Sequence, residues 1–423
     1  MDEKRRGRRD FLQNIAIVAL SLLAGVLILL PRLLTAEDGY FHKLLSPPTQ
    51  MGSESGALST SGLDIPVRVM VSGAYGRYGN VTLVTSDELF RPLESLLTEA
   101  LGSAQRYAPC SQEDLLAALE HTSVYCDFLS DFPLPALAER IGTTVDSSLS
   151  ARCLVLSSQE DGVRLYLTDG RGACYTCSTA VSQEDLESAA GRYELGNAAF
   201  AFDLADTQPN AASISPCSIL LLETPNQLPV LQAADSLSDT DSLLTALHFN
   251  PRTNYRYPES NGTEVVVEGE RSVRIQPNGT VLYRSGGEDA LTVDAPSSPT
   301  ALEAISGTAQ LVGRLLGHAG DATLYLQSIQ QNSGSSVLRF GYQVGGLPIR
   351  FSDGACAAEV TLSGNTVTTL SLRFRQYTLS GDASLLLPLR QAMAIAACSP
   401  GAELSIGYAD DRSDALSACY LAN

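Results

Sequence analysis

The sequence has no tryptophan, and of its 28 Lys and Arg residues only Lys4 and Lys43 are lysines. Both precede the folded body that the rest of the chain suggests, so that body has no lysine for a Schiff base, a Ser-Lys dyad or a Walker-type phosphate loop. Without tryptophan it also lacks the aromatic platforms typical of glycosidase clefts, and none of its many carboxylates is singled out as an acid and base pair. No serine sits in a Gly-x-Ser-x-Gly elbow. The glycines of "GAYGRYG" (73–79) recur every third position, which suits a hairpin turn and not a dinucleotide fingerprint.

Histidine is scarce too. His42 falls in a linker, while His121, His248 and His318 fall where helices end and a cation suits the helix dipole. None has the His-x-x-x-His or His-Glu-x-x-His spacing of a metal site. "YADDRSD" around Asp410 reads as a solvated turn rather than a calcium loop. The sequence signals no catalytic residue, no cofactor and no metal.

Nine cysteines are spread over 423 residues, an odd number without the density of a disulfide framework. The one close pair is Cys174 and Cys177 in "GACYTCST". Residues three apart on a strand point to opposite faces, so a shared zinc or redox site is disfavoured and burial as small apolar residues is expected.

Charge is uneven. Residues 1–32 sum to +3, which leaves −22 of the total of −19 on the remainder. A body that acidic repels phosphate backbones, so no nucleic-acid partner is expected.

The apolar fraction of 44% is ample for burial, and its longest run is "FLQNIAIVALSLLAGVLILL", residues 11–30. As a helix these 20 residues span about 30 Å, the thickness of bilayer hydrocarbon. "RRDFLQ" resembles a twin-arginine export signal, but a signal's apolar core is typically about 7–15 residues and ends at a small-residue cleavage site. The expectation is a single-pass anchor with residues 1–10 as a basic cytoplasmic tail and the C-terminal body extracytoplasmic. Gln13 and Asn14 near its cytoplasmic end, and the small residues Ala24 and Gly25, form a candidate surface for a partner helix.

Residues 31–62, rich in Ser, Gly and Pro, read as a tether. Residues 63–207 read as an α+β domain. Within it, Thr85 with Glu88 and Ser111 with Asp114 propose capped helices, and "ARCLVLSSQEDGVRLYLTDGRGACYTCSTAV" reads as three strands. Residues 208–296 and 297–423 each read as a helix followed by a small antiparallel sheet, one order of elements written twice. "TVTTLSLRFRQYTLS" reads as one strand, 385–397 as a helix and "AELSIGYA" as the closing strand. The expected fold class is therefore α+β: small antiparallel sheets with helices on one side, in three domains, behind a transmembrane helix.

Three stretches carry a family resemblance: "VYCDFLSDFPLPALAERIG" (124–142), "LHFNPRTNYRYPESNGTEVVVEGERSVRIQPNGTVLYRS" (247–285) and "FGYQVGGLPIRFSDGACAAEVTLSGNTVTTLSLRFRQY" (340–377). With the layout of basic tail, helix, tether and body, the chain resembles the YycH family and, through its later part, the related YycI. The closing "DALSACYLAN" and the cysteine count depart from that pattern. The resemblance implies a non-enzymatic protein, held in the cell membrane of a Gram-positive bacterium by one helix. It would bind a WalK-type sensor histidine kinase, alongside a YycI-like partner, and adjust signalling that controls the cell wall. The competing readings are a membrane-tethered wall hydrolase and a module that binds wall fragments.

Overall fold

The computed structural model describes residues 67–422, apart from 74–75, 81–89, 170–171, 194–195, 223–227, 251, 253, 287–289 and 333. The expected anchor and tether, and the proposed cap at Thr85 and Glu88, lie outside the described residues. Among the described residues no helix is long and apolar enough to cross a membrane.

The first sheet is built from local hairpins. Strand β1 (Arg68–Gly73) turns into β2 (Gly76–Asn80), and β1 pairs on its other edge with β4 (Ser123–Pro133). The chain between them supplies helix α1 (Phe90–Ser103), the short β3 (Ala108–Pro109) and α2 (Gln112–Leu119). Helix α2 begins where the sequence places it, because Ser111 and Asp114 form a reciprocal capping box. After α3 (Leu134–Arg140) come β5 (Ser150–Gln159), β6 (Gly162–Thr168) and β7 (Cys174–Ser178), then α4 (Gln183–Ala190). The resulting order, β2-β1-β4-β5-β6-β7-β3, is antiparallel throughout.

Both faces of this sheet are covered. Met70, Tyr125, Val155, Tyr166 and Cys174 pack on one side with Leu115 and Leu119 of α2. Val71, Val124, Leu156, Leu165 and Cys177 are buried on the other, the side of α1, α3 and α4. Cys174 and Cys177 thus point to opposite faces, as the pleat requires. The apolar stripe of α1, from Leu93 to Leu101, is buried as its period predicts.

A two-stranded ribbon follows, β8 (Ala198–Phe200) with β9 (Ile219–Leu221), around the single turn α5 (Ala201–Leu204). Next come β10 (Pro229–Asp235) and α6 (Thr240–Ala246), capped by Asp239. The meander β11 (Tyr255–Pro258), β12 (Glu264–Glu268), β13 (Arg271–Ile275) and β14 (Thr280–Arg284) is the expected set of hairpins. Helix α7 (Ala301–Leu316) starts at a Thr300–Glu303 capping box. It leads into β15 (Thr323–Asn332), β16 (Ser335–Val344), β17 (Leu347–Phe351), β18 (Ala358–Ser363) and β19 (Thr366–Arg373).

The expected fold class needs correction here. The two units of the second half are not separate small sheets under separate helices: β14 pairs with β19, and the ladder runs β11-β12-β13-β14-β19-β18-β16. It ends with β15 on the far edge of β16, while β17 continues in parallel to β21 (Leu404–Asp410) and on to β23 (Ala418–Ala422). One parallel bridge, Ser328 to Asp131, joins this ladder to the first sheet, making an 18-stranded mixed sheet. The described residues are sheet-dominated and all belong to one compact unit, Gln50–Asn423. Hairpins are local and legible, whereas the β14–β19, β17–β21 and β4–β15 pairings join residues far apart in sequence, and no local pattern encodes them.

Three smaller corrections follow. "TVTTLSLRFRQYTLS" is two strands: the chain leaves the large sheet at Phe374, and β20 (Arg375–Ala383) joins β10 and β22 (Ala415–Leu416) in a separate three-stranded sheet. The turn between α7 and β15 packs against β20 and needs glycine there, since Gly320 has φ of 72° and a Cβ would run into the Tyr377 carbonyl. The helix expected over 385–397 is shorter, α8 (Leu389–Ala396), because Pro388 is its N-cap and disfavours helical backbone just upstream. "AELSIGYA" is not the last strand, since β22 and β23 follow it.

Candidate functional site

Four charged side chains meet in the interior where β1, β4 and β5 approach the start of β21. Asp127 is 1% exposed. Its Oδ1 accepts from Arg152 Nε at 3.0 Å and its Oδ2 from Arg152 Nη2 at 2.9 Å, while Arg68 Nη2 donates to the same Oδ2. Glu403 closes the ring, accepting from Arg152 Nη1 at 2.7 Å and from Arg68. The backbone is shaped to this end: β4 slips register between Asp127 and Phe132, and Leu129, with φ of 59°, donates its N–H to Asp127 Oδ1 at 2.7 Å.

Burial favours the neutral acid at Asp127, but Arg152 and Arg68 outweigh it and hold the carboxyl well below the usual carboxylate range. Glu403 is lowered against the same burial cost by Arg68 and Arg152. The cluster is charge-balanced and its carboxylates are saturated by arginine donors, so its role is to fix β21 against the first sheet.

A second cluster sits on β20 and β21. Arg375 grips Asp410 with two bonds of 3.1 Å, Tyr377 donates to Asp410 Oδ2 at 2.8 Å, and Arg375 also reaches Asp235 at 3.3 Å. Asp410 is 1% exposed, which overturns its reading as part of a solvated turn. Arg373, two residues earlier, is held by Asp353 and lies 4.5 Å from the centre of the Phe351 ring. The sequence signal was the alternation of arginines in "RFRQY", which as polar residues on a strand could have been taken for a solvated edge.

The cysteines divide in two. Cys110 and Cys174 form a disulfide that pins β3 to β7. The sequence did not indicate this pair, because its partners are 64 residues apart. Burial pushes the Cys217 thiol up to about 12 and the Cys177 and Cys356 thiols up to about 11, away from the thiolate that a nucleophile or metal ligand requires. His248 adopts a left-handed conformation just past α6, and His318 follows α7, its Nδ1 accepting from the Gly320 N–H. Among the described residues no group of three or more His, Cys, Asp or Glu is placed to hold a metal ion.

A crevice of about 230 Å³, its open mouth included, lies between α1, α3 and the sheet, lined by Leu97, Leu101, Phe128, Leu137 and Leu154 with Glu94 as its one charge. Large apolar side chains stand exposed at Leu385, Leu387 and Ile395, and at Tyr255 and Tyr257 of the edge strand β11. The candidate partner-helix residues Gln13, Asn14, Ala24 and Gly25 lie outside the described residues. Comparison with family models, with curated proteins and with solved structures returned no match.

Proposed function

We propose that this chain is a non-enzymatic regulator of a WalK-type sensor histidine kinase, anchored in the cell membrane by residues 11–30 with its body outside the cytoplasm, and linked to cell-wall homeostasis. The observation that carries the location is the Cys110–Cys174 disulfide, since structural disulfides belong to oxidising compartments. The partner is carried by the resemblance to the YycH family. The resembling stretches are scaffold: 124–142 spans β4 and α3, 247–285 spans β11 to β14, and 340–377 spans β16 to β19. The buried ion pairs fit a supporting role for these segments, with strong charges spent on one another rather than turned toward a substrate.

The test is co-purification of the full chain from membranes with a sensor kinase. Replacing Ala24→Leu and Gly25→Leu removes the close-approach surface of the anchor and is expected to cut kinase recovery several-fold, on the order of the tenfold that about 1.4 kcal/mol represents. Unchanged recovery would remove the helix contact. A chain recovered from cytoplasm with Cys110 and Cys174 open to alkylation would overturn the location.

A further inference from the structure

In the ladder from β11 to β16, the face opposite the buried Val273, Tyr283 and Leu370 is open to water. Register places its side chains on two neighbouring rows that cross the strands. One row leads from Tyr255 on β11 through Ser272 and Arg284 to Thr369. The next leads from Tyr257 through Arg274 and Ser371 to Glu359 and Arg339. The rows hold three arginines and one carboxylate, on a chain that carries −22 beyond residue 32. The face thus has a local charge opposite to that of the molecule.

These groups are available. Arg339 is matched by Glu359, while Arg274 lies 3.5 Å from Glu259 in the turn after β11, with both side chains partly exposed. Arg284 is exposed and pairs with no carboxylate among the described residues. Tyr255 and Tyr257 are 68% and 37% exposed, with ring centres 5.6 Å apart.

Their order selects the occupant. A protein interface gathers apolar side chains at its centre and leaves charge at the rim, whereas here Arg274 and Arg284 stand on middle strands and the tyrosines at the edge. Nucleic acid presents a phosphate about every 3.4 Å of strand. Arg274 and Arg284 are diagonal neighbours, about 7–8 Å apart, and Arg339 is three strands beyond β14, about 14 Å away. Cations so spaced match a chain with one acid group per sugar. Exposed tyrosine faces suit sugar rings, and the hydroxyls of Ser272 and Ser371 suit theirs.

We propose that this face binds an extended anionic polysaccharide laid across the strands, with sugar rings on Tyr255 and Tyr257 and acid groups on Arg274 and Arg284. The negative body opposes approach at long range, but salt screens that field beyond about 8 Å, and at contact the arginines decide. The site depends neither on a kinase nor on an anchor, so its failure leaves the function proposed above standing.

The test titrates the full chain, in nonionic detergent, against immobilised polygalacturonate, neutral dextran and oligo(dT). The expected result is binding to polygalacturonate that weakens with salt and is at least about tenfold tighter than binding to either of the others. Arg274→Gln with Arg284→Gln is expected to lower the affinity at least about tenfold, and Y255S/Y257S about threefold or more. Arg390→Gln, an exposed arginine on α8 away from the ladder, is expected to leave it unchanged. R284Q alone, which breaks no ion pair, is read should the double variant fail to fold.

No binding to polygalacturonate, or binding that survives R274Q/R284Q, overturns the proposal. Equal loss in R390Q also overturns it, because attraction would then be diffuse. Dextran bound as tightly shows that acid groups are not read, and oligo(dT) bound as tightly shows that any polyanion serves; either result overturns the polysaccharide. A dimer that R284Q disperses assigns the face to a second copy instead.

Discussion

The two halves of the large sheet differ in what their faces meet. In the first half both faces are covered, so Val69, Met70 and Val71 are all at most 1% exposed although neighbours point to opposite sides. In the second half one face packs inward and the other meets water: on β14, Val281 and Tyr283 are 1% exposed while Arg284 is exposed. Across that open face Arg339 pairs with Glu359, and Thr369 donates to Thr361. The same residue types therefore carry different weight in the two halves. Arg68 and Arg152 in the first must be matched by carboxylates with little water, whereas Arg284 and Arg339 on the open face of the second are largely solvated.

The largest expected effect follows from breaking the buried balance. Asp127→Asn leaves Arg68 and Arg152 sharing Glu403 alone and is expected to cost about 3–5 kcal/mol in urea unfolding. A loss under about 1 kcal/mol would show that water reaches the cluster and that the halves are alike. The acid limb adds a second measure. Asp127 and Glu403 have folded pKa values below their unfolded ones, so their stabilisation is present above the unfolded value of about 4 and is lost as pH falls through the folded values. Acid unfolding is expected to start below about pH 4 and to be shallower in D127N.

Next in size is the staple. The Cys110–Cys174 disulfide closes a separation of 64 residues entirely within the first half. Reduction, or Cys110→Ala, is expected to cost about 2–4 kcal/mol. Hydrogen exchange sharpens the comparison: amides of β3 and β7 should lose protection before those of β12 to β14, and a uniform loss would mean that the ladder unfolds as one unit.

These effects also mark what the sequence could say. The capping box at Ser111, the stripe of α1 and the hairpins of β5 to β7 and β11 to β14 are written in neighbouring residues, and all were legible. The merging of the sheets was not, because it depends on β14 meeting β19, with Thr280 opposite Arg373 and Arg284 opposite Thr369, far apart in sequence. The charge clusters were hidden for the same reason. Asp127, Glu403 and Asp410 look like ordinary polar residues until distant arginines arrive beside them. Pro388 is plain in the sequence, and it stops the helix inside an apolar run whose composition alone would extend it to Leu385.

The smallest expected effect tests the open face. Arg339 and Glu359 sit opposite each other on β16 and β18, 39% and 40% exposed, with Nε and Oε2 2.6 Å apart. That geometry is as good as any in the buried cluster, so short distance alone predicts a strong pair. Solvation predicts the reverse: water screens both charges, and ordering two long side chains offsets what attraction remains. A double-mutant cycle of Arg339→Ala and Glu359→Ala is expected to give a coupling of about 0.2–1 kcal/mol, falling with added salt. A coupling comparable with the cost of D127N would mean that the outer face is covered in the native assembly, and that the second half is buried on both sides as the first is.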